Sequence, residues 1–137
     1  MSVSLKKKIK IISTNHIIIG CKLNGVFGKF IIDTGASNSC INSLSADKFN
    51  IKFKKSHEKA FSATSKINET FYSVNNLLEI SKFKINDFKV ILFNMSNIND
   101  LLIEKNIDEI DGIIGGDFLI EFKANIDYKN SLLSLKL

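Results

Sequence analysis

The sequence predicts an all-β domain, and three features of the chain support this fold class. Short runs rich in Ile, Val and Phe recur along it, separated by the Asn, Ser and Gly residues that favour turns. Asn24-Gly25 stands between two such runs and is a strong hairpin signal. Near the end, Leu133, Leu135 and Leu137 alternate with other residues, which is the period of a strand with one buried face. Since no linker or low-complexity tract interrupts the 137 residues, we expect one domain over 1–137.

For the first half of the chain, the sequence predicts strands followed by a short helix. Its apolar runs are β-branched, and residues 13–15 between the first two are typical of a turn. A polar residue, Asn42 or Ser43, stands where a helix cap is expected. The predicted elements are strands at Lys8 to Ile12, Ile17 to Leu23 and Val26 to Ile32, and a helix at Asn42 to Phe49.

The second half reads as further strands with two helices. Ser96 is predicted to cap a helix near 97–105, because Ile98, Leu101 and Leu102 fall at helical spacing. A short second helix is predicted from Asp117 to Phe122. The remaining elements are a long hairpin over 58–75 and strands at Leu77 to Ile80, Phe83 to Ile85, Phe88 to Phe93, Ala124 to Tyr128 and Leu132 to Leu137.

Composition and charge narrow the classes of function. The chain has 45% hydrophobic and 24% charged residues, and no run approaches the ~20 apolar residues of a membrane-spanning helix. The net charge is +5, but all 19 basic residues are Lys and are scattered among 14 acidic ones. Because proteins that read nucleic acids depend on Arg for bidentate contacts, we expect no nucleic acid as partner. The lack of a long apolar run likewise predicts no membrane as partner.

The cysteines and the N-terminal segment indicate a cytoplasmic protein. Lysines at 6–8 precede an apolar stretch, but polar residues at 13–16 interrupt it and no small-residue cleavage site follows, so we expect no signal peptide. Cys21 and Cys40 form no spacing typical of zinc, and we expect two free thiols in a reducing compartment.

An acidic turn follows the third predicted strand. The apolar run Phe30-Ile31-Ile32 leads directly into Asp33-Thr34-Gly35-Ala36-Ser37, so the Asp33 carboxylate stands at the end of a buried strand. Burying a charge is costly unless it is paired or hydrogen-bonded. The Thr34 hydroxyl and Gly35, which has no Cβ, indicate that the Asp33 carboxylate has a functional role, although Asp is also a common turn residue.

A second distinctive segment lies near the end of the chain. Ile110-Asp111-Gly112-Ile113-Ile114-Gly115-Gly116-Asp117-Phe118-Leu119 is a short apolar strand bracketed by glycines that runs into the second helix. We assign Gly112, Ile113, Ile114, Gly115 and Asp117 a structural role, with the Asp117 carboxylate at a helix start where it meets the helix dipole.

The two motifs together resemble the retropepsin-like aspartic proteases, the retroviral proteases and their single-domain bacterial relatives. The resemblance runs in the right order from about residue 16 to the end. It implies a partly closed β-barrel with Asp33 as the catalytic residue, acting on a peptide or protein with no cofactor and no metal. In this family the second motif packs beside the active-site loop.

The resemblance also implies a homodimer. Aspartic proteases use two carboxylates that share one proton and an activated water, and this chain supplies one Asp-Thr-Gly. By resemblance, Thr34 would bond across the interface, Gly35 would bring its amide to the carboxylate, Ala36 matches the retroviral pattern and Ser37 would stabilise the loop. The chain termini would form the dimer sheet, with the Leu133, Leu135 and Leu137 stripe contributing.

The resemblance places a flap at Ala63, Thr64 and Ser65, where relatives usually have glycines and this chain has none. That departure motivates an alternative function, a peptide-binding or structural domain that keeps the fold without cutting. A third hypothesis is a metal-dependent hydrolase, which would require Asp33, Asp111 and Asp117 to form one metal site.

Overall fold

The computed structural model describes residues 4–55 and 70–137. These residues form eleven strands and three short helical segments. The strands are β1 (Ser4–Lys8), β2 (Lys10–Ile11), β3 (Ile17–Leu23), β4 (Val26–Ile32), β5 (Cys40–Asn42), β6 (Lys54–Lys55), β7 (Phe71–Ile80), β8 (Phe83–Phe93), β9 (Gly112–Ile114), β10 (Asn125–Asp127) and β11 (Leu132–Lys136). The helices are α1 (Ser96–Glu104), α2 (Gly116–Glu121) and the 3₁₀ segment Ser43–Ser45.

Six strands close into a barrel in the order β3-β4-β9-β5-β8-β7. The ring is completed where β7 returns to β3, with Lys22 opposite Glu79 and Leu23 opposite Leu78. Most pairs are antiparallel, but β4 with β9 and β5 with β8 run parallel. The predicted fold class is therefore confirmed, and the barrel is closed where the sequence predicted partial closure.

A three-stranded sheet joins the two ends of the chain. β11 lies between β1 and β10, and Ser4 is opposite Lys136. Leu133 and Leu135 are buried in the chain's own main core, beside Leu5 and Ile9. These two leucines face the core of their own chain, because the central strand of the sheet uses one face to cover that core. The contribution of the stripe to a dimer sheet stays a prediction.

The tight turn at Asn24-Gly25 is confirmed. Both residues have positive φ, 51° for Asn24 and 85° for Gly25, as expected for the two central residues of a primed hairpin turn. β3 and β4 have the predicted bounds, and Leu23 pairs with Val26 across the turn.

The first predicted strand was placed too late in the chain. Residues 4–8 form β1 and only Lys10–Ile11 continues as β2. The three lysines mask the alternation there, in which Leu5 is buried and its neighbours are not. The partner of β1 is β11, at the other end of the chain, so no local pattern reveals the pairing.

Both helices of the second half are confirmed, with differences in detail. Met95 rather than Ser96 is the N-cap of α1, and Oδ1 of Asn94 accepts from the Ser96 amide. Leu101, expected on the buried face, is 59% exposed, whereas Asn99 is buried. The Asn99 amide exchanges two hydrogen bonds with the Ile110 backbone, and this fixes which face of α1 points inward.

The predicted helix over 42–49 is shorter than expected. Only Ser43–Ser45 is helical, with a 3₁₀ geometry, and Oδ1 of Asn42 accepts from the Leu44 amide as the predicted cap. The strands predicted at 83–85 and 88–93 are one strand, β8.

Of the hairpin predicted over 58–75, only residues 70–75 are described, and the start of β7 there pairs antiparallel with β6, which precedes the predicted range. The flap residues Ala63, Thr64 and Ser65 lie outside the described residues. Within 4–55 and 70–137, no helix combines the length and apolarity needed to cross a bilayer.

Candidate functional site

Asp33 stands at the point where β4 leaves the barrel. Ile31 and Ile32 before it are buried, while Asp33, Thr34 and Gly35 are exposed. The Asp33 amide donates to the carbonyl of Ile114, the last residue of β9, at 3.0 Å. A buried pair of parallel strands thus holds the backbone from which an exposed carboxylate projects.

The turn after Asp33 folds back onto the carboxylate. The Gly35 amide donates to Oδ1 of Asp33 at 2.9 Å, and the Ala36 amide donates to the Asp33 carbonyl at 3.2 Å. A backbone N–H that donates to a carboxylate oxygen fixes the orientation of that carboxylate. Asp33 is therefore an oriented acceptor that stays open to solvent and to a binding partner.

The rest of the loop is held by the start of α2. The carbonyl of Ala36 accepts from the Gly116 amide at 2.6 Å, and that of Ser37 accepts from the Asp117 amide at 3.2 Å. The first amides of a helix lack partners within it. Here two of these amides bind loop carbonyls, so the second motif packs beside the Asp33 loop as the resemblance implied.

Ser39, which the sequence analysis did not select, is the buried side chain at the centre of this contact. Its hydroxyl donates to Oδ1 of Asp117 at 2.8 Å and accepts from the Gly115 amide at 3.0 Å, while its amide donates to Oδ2 of Asp117 at 3.0 Å. The loop hydroxyl expected at Ser37 is exposed, and Ser37 meets α2 through its carbonyl. A polar residue just before the apolar Cys40-Ile41 was the signal available in the sequence.

Two glycines of the second motif are required by close backbone contact. A Cβ at Gly112 would overlap the Cys40 carbonyl oxygen. A Cβ at Gly115 would lie 2.7 Å from the carbonyl oxygens of both Ala36 and Asn38. Because these neighbours are backbone atoms, the loop approaches β9 only where side chains are missing.

The barrel wall next to Asp33 is apolar. Ile31 of β4 and Ile113 of β9 are register partners on one face, and Met95 and Leu102 of the α1 region pack with them. Ala36 of the loop is partly buried against the same cluster. α1 therefore lies against the strands that support the acidic loop.

The two cysteines are free and buried. Burial raises the pKa of the Cys40 thiol to about 12, and the Asp117 and Asp33 carboxylates add to the rise. Burial likewise raises the pKa of Cys21 to about 12. These thiols stay protonated near neutral pH, which makes them poor nucleophiles and poor metal ligands.

The structure does not bring the three aspartates of the metal-hydrolase reading into one cluster. Asp111 accepts from the Lys29 amide and from Lys48 Nζ, and Asp117 accepts from Ser39. Across residues 4–55 and 70–137, no group of three or more His, Cys, Asp or Glu side chains could hold a metal ion.

Comparison with known families gives a match over most of the chain. A family model described as aspartyl protease matches residues 19–118, a span that contains both the Asp33 loop and the second motif. No curated protein sequence matches the chain.

Solved structures share the fold at low identity. A retropepsin-like aspartic protease from Rickettsia conorii has a TM-score of 0.68 and 22% identity, over 99% of this chain and 93% of the other. The retroviral protease-like domain of Ddi1 from Leishmania major has a TM-score of 0.59 and 21% identity, over 86% of each chain. EIAV protease in complex with an inhibitor has a TM-score of 0.57 and 15% identity, over 80% of this chain and 90% of the other.

Proposed function

This chain belongs to the aspartyl protease family and has a retropepsin-like fold, and from that premise we propose that it is an aspartic endopeptidase. The observation that carries the proposal is the Asp33 loop. The Asp33 carboxylate is exposed at the end of the buried residues Ile31 and Ile32, with the Gly35 amide donating to it at 2.9 Å.

The proposed chemistry needs two such carboxylates. Two carboxyl groups about 3 Å apart cannot both be ionised, so the two aspartates share one proton. The ionised member takes a proton from a water molecule, which attacks the peptide carbonyl, and the protonated member donates to the carbonyl oxygen. When this tetrahedral intermediate collapses, the C–N bond breaks, the leaving amine takes the proton that came from the water, and a hydroxyl proton of the intermediate returns to the other aspartate.

A homodimer supplies the second carboxylate in our proposal. The chain contains one Asp-Thr-Gly, and the loop from Asp33 to Gly35 is exposed in the single chain. In an isologous contact, a residue that lies beside the two-fold axis faces the same residue of the other copy. Asp33 of each copy would then face the other across this loop.

The neighbouring residues take supporting roles in the proposal. Thr34 would bond to the partner loop, Gly35 would hold the Asp33 carboxylate, and Ala36 and Ser37 would fix the loop through their carbonyls. We propose an extended peptide as substrate, because a cleft between strands binds peptide main chains by strand-like hydrogen bonds. We further propose that residues 1–137 act as one domain in the cytoplasm, where buried free thiols are stable.

Peptide cleavage by matched variants tests the activity. Wild type, Asp33→Asn and the control Asp47→Asn, an exposed carboxylate outside the loop, would be incubated with a mixed peptide library from mildly acidic to neutral pH. Mass spectrometry should find products for wild type and the control and none for Asp33→Asn. Adding a chelator should change nothing, and a chelator-sensitive activity would favour the metal-hydrolase reading instead.

Subunit mixing tests the shared site. If wild type and Asp33→Asn exchange freely at equal amounts, a site needing both carboxylates leaves about a quarter of the wild-type activity at equal total protein. A site complete within each chain leaves about half. If dimeric wild type and Asp33→Asn bind peptides equally and neither yields products, the chain is a non-cleaving peptide-binding domain.

A further inference from the structure

The contact between Ser39 and Asp117 uses both carboxylate oxygens of Asp117 and depends on the chemical types of both side chains. Oδ1 of Asp117 accepts from the Ser39 hydroxyl and from the Phe118 amide, both at 2.8 Å. Oδ2 accepts from the Ser39 amide at 3.0 Å. Both oxygens of the side chain must therefore be acceptors, which a carboxylate provides and the amide of Asn does not.

The Ser39 hydroxyl is equally constrained. It donates its one proton to Asp117 and accepts from the Gly115 amide at 3.0 Å, so it links the carboxylate to the glycine where β9 meets α2. Ser39 is fully buried, and a buried polar group that loses its partner costs about 1–3 kcal/mol. Because Ser39 is fully buried, solvent water does not replace a lost partner of its hydroxyl.

The two ends of the acidic loop are fixed by different means. The first end is fixed at β9, where the Asp33 amide donates to the Ile114 carbonyl. The last end is fixed by Ser39, through Asp117 and Gly115. Between them, the loop meets α2 through the carbonyls of Ala36 and Ser37. The Ser39 and Asp117 side chains thus hold the end of the loop opposite to Asp33.

We infer that Ser39 and Asp117 are positioning residues for Asp33, an inference that rests on the proposed endopeptidase function. A displacement of about 1 Å in a catalytic group can cost on the order of 100-fold in rate. Loosening the far end of the loop displaces Asp33 relative to its mate and to the attacked carbonyl. The loss falls on kcat more than on KM, because peptide binding uses strand-like contacts away from this loop.

The kinetic test compares conservative and disruptive variants. Ser39→Ala and Asp117→Asn should lower kcat by about 10- to 100-fold with KM changed by less than about threefold. Ser39→Thr, which keeps the hydroxyl, should retain most of the kcat. The control is Asn76→Ala, which removes a buried side chain bonded to Asn24, Ser73 and Phe88, in another part of the barrel. It should lower the melting temperature and leave kcat near wild type.

Wild-type kcat in Ser39→Ala or Asp117→Asn would overturn the inference. So would an equal loss of kcat in Asn76→Ala at matched loss of stability, because the effect would then follow stability alone.

A readout without activity separates this inference from the proposed function. The Gly35 amide bonds to Asp33 itself, so its ¹H–¹⁵N NMR shift reports the geometry of the loop. It should move in Ser39→Ala and Asp117→Asn and stay in place in Asn76→Ala. If wild type cleaves nothing while these shifts behave as stated, the endopeptidase function fails and the positioning role stands. If the Gly35 shift is unchanged in both variants, the positioning role fails, whatever the activity.

Discussion

Gly115 packs directly against the backbone of Asn38, so that a Cβ on Gly115 would lie 2.7 Å from the Asn38 carbonyl oxygen and as far from that of Ala36. Both neighbours are backbone atoms of the acidic loop and cannot rotate away. Gly115→Ala should therefore lower the free energy of unfolding by about 1–3 kcal/mol, as overpacking usually does. Urea denaturation would measure the change.

Gly116→Ala is the matched control for that substitution. Its Cβ would lie 3.3 Å from the Ala36 carbonyl oxygen, and Ala is a good residue in the first turn of a helix. We expect a change of less than about 1 kcal/mol. Equal destabilisation by the two substitutions would show that the close approach of Gly115 does not limit stability.

Asn99 should contribute more to stability than any other polar residue of α1. Its side chain donates to the Ile110 carbonyl at 3.1 Å and accepts from the Ile110 amide at 2.8 Å, and it is buried. Asn99→Ala leaves both backbone groups without partners and should cost about 2–4 kcal/mol. Thermal and urea denaturation should detect this loss. Asn97→Ala, at an exposed position of the same helix, should be near neutral, and a comparable loss there would contradict the argument.

Two aspartates that pair with lysines should differ in their effect on stability. The Asp111 side chain is 15% exposed and accepts from Lys48 Nζ at 3.1 Å and from the Lys29 amide at 3.0 Å. The Asp108 side chain is 81% exposed and meets only Lys29 Nζ among the described contacts, at 2.7 Å. Asp111→Ala should destabilise the fold by about 1–3 kcal/mol, because it leaves a backbone amide unpaired.

Asp108→Ala should leave the denaturation midpoint within experimental error, since exposed ion pairs contribute little and are screened by salt. The Lys29 ammonium lowers the pKa of Asp108, but because solvent screens this exposed carboxylate the shift adds little to stability. Midpoints measured in low and high salt would check both variants. A larger loss of stability in Asp108→Ala than in Asp111→Ala would contradict the prediction that Asp111 contributes more to stability.

The buried thiols should be inert in the native protein. Burial raises the pKa of Cys40 from 9.0 to about 12, so the thiolate that reacts with alkylating reagents is scarce at pH 8. Native protein should show almost no labelling at Cys21 or Cys40, and denatured protein should label at both. Rapid labelling of native Cys40 would contradict its burial.

The same pKa shifts set a direction for alkaline stability. The unfolded chain releases thiol protons near pH 9 while the folded chain keeps them until about pH 12. The contribution of the thiols is therefore fully present below pH 9 and is lost as the pH rises towards 12. Between pH 9 and pH 12 the free energy of unfolding should therefore fall less for Cys40→Ala than for wild type, and unfolding curves of the two proteins would measure the difference.

Local patterns predicted the parts of the fold whose causes are local. The hairpin of β3 and β4 has its predicted bounds because alternation and the Asn24-Gly25 turn both lie within it. β1 was misplaced because its partner β11 lies at the far end of the chain. Leu101 was assigned to the wrong face because the phase of α1 is set by the two hydrogen bonds between the Asn99 side chain and the Ile110 backbone, not by apolar residues alone.

The candidate site shows the same division. Asp33 and Gly35 were selected from the sequence, since their chemistry lies within one short motif. Ser39 was missed because its partner Gly115 is 76 positions away and nothing within the motif requires a hydroxyl there. Asp117 was assigned to the helix dipole, and its bonds to Ser39 became visible only when the loop and α2 were placed together.

The sheet that joins β1 to β11 has a consequence for how the chain could be rearranged. Because Ser4 lies opposite Lys136, a short covalent bridge could link the first residues of β1 to the last residues of β11. New ends could then open at the exposed Ser81–Lys82 turn between β7 and β8. Such a circular permutant would keep every strand pair of the barrel, and the adjacent ends would also suit fusion of two copies in tandem.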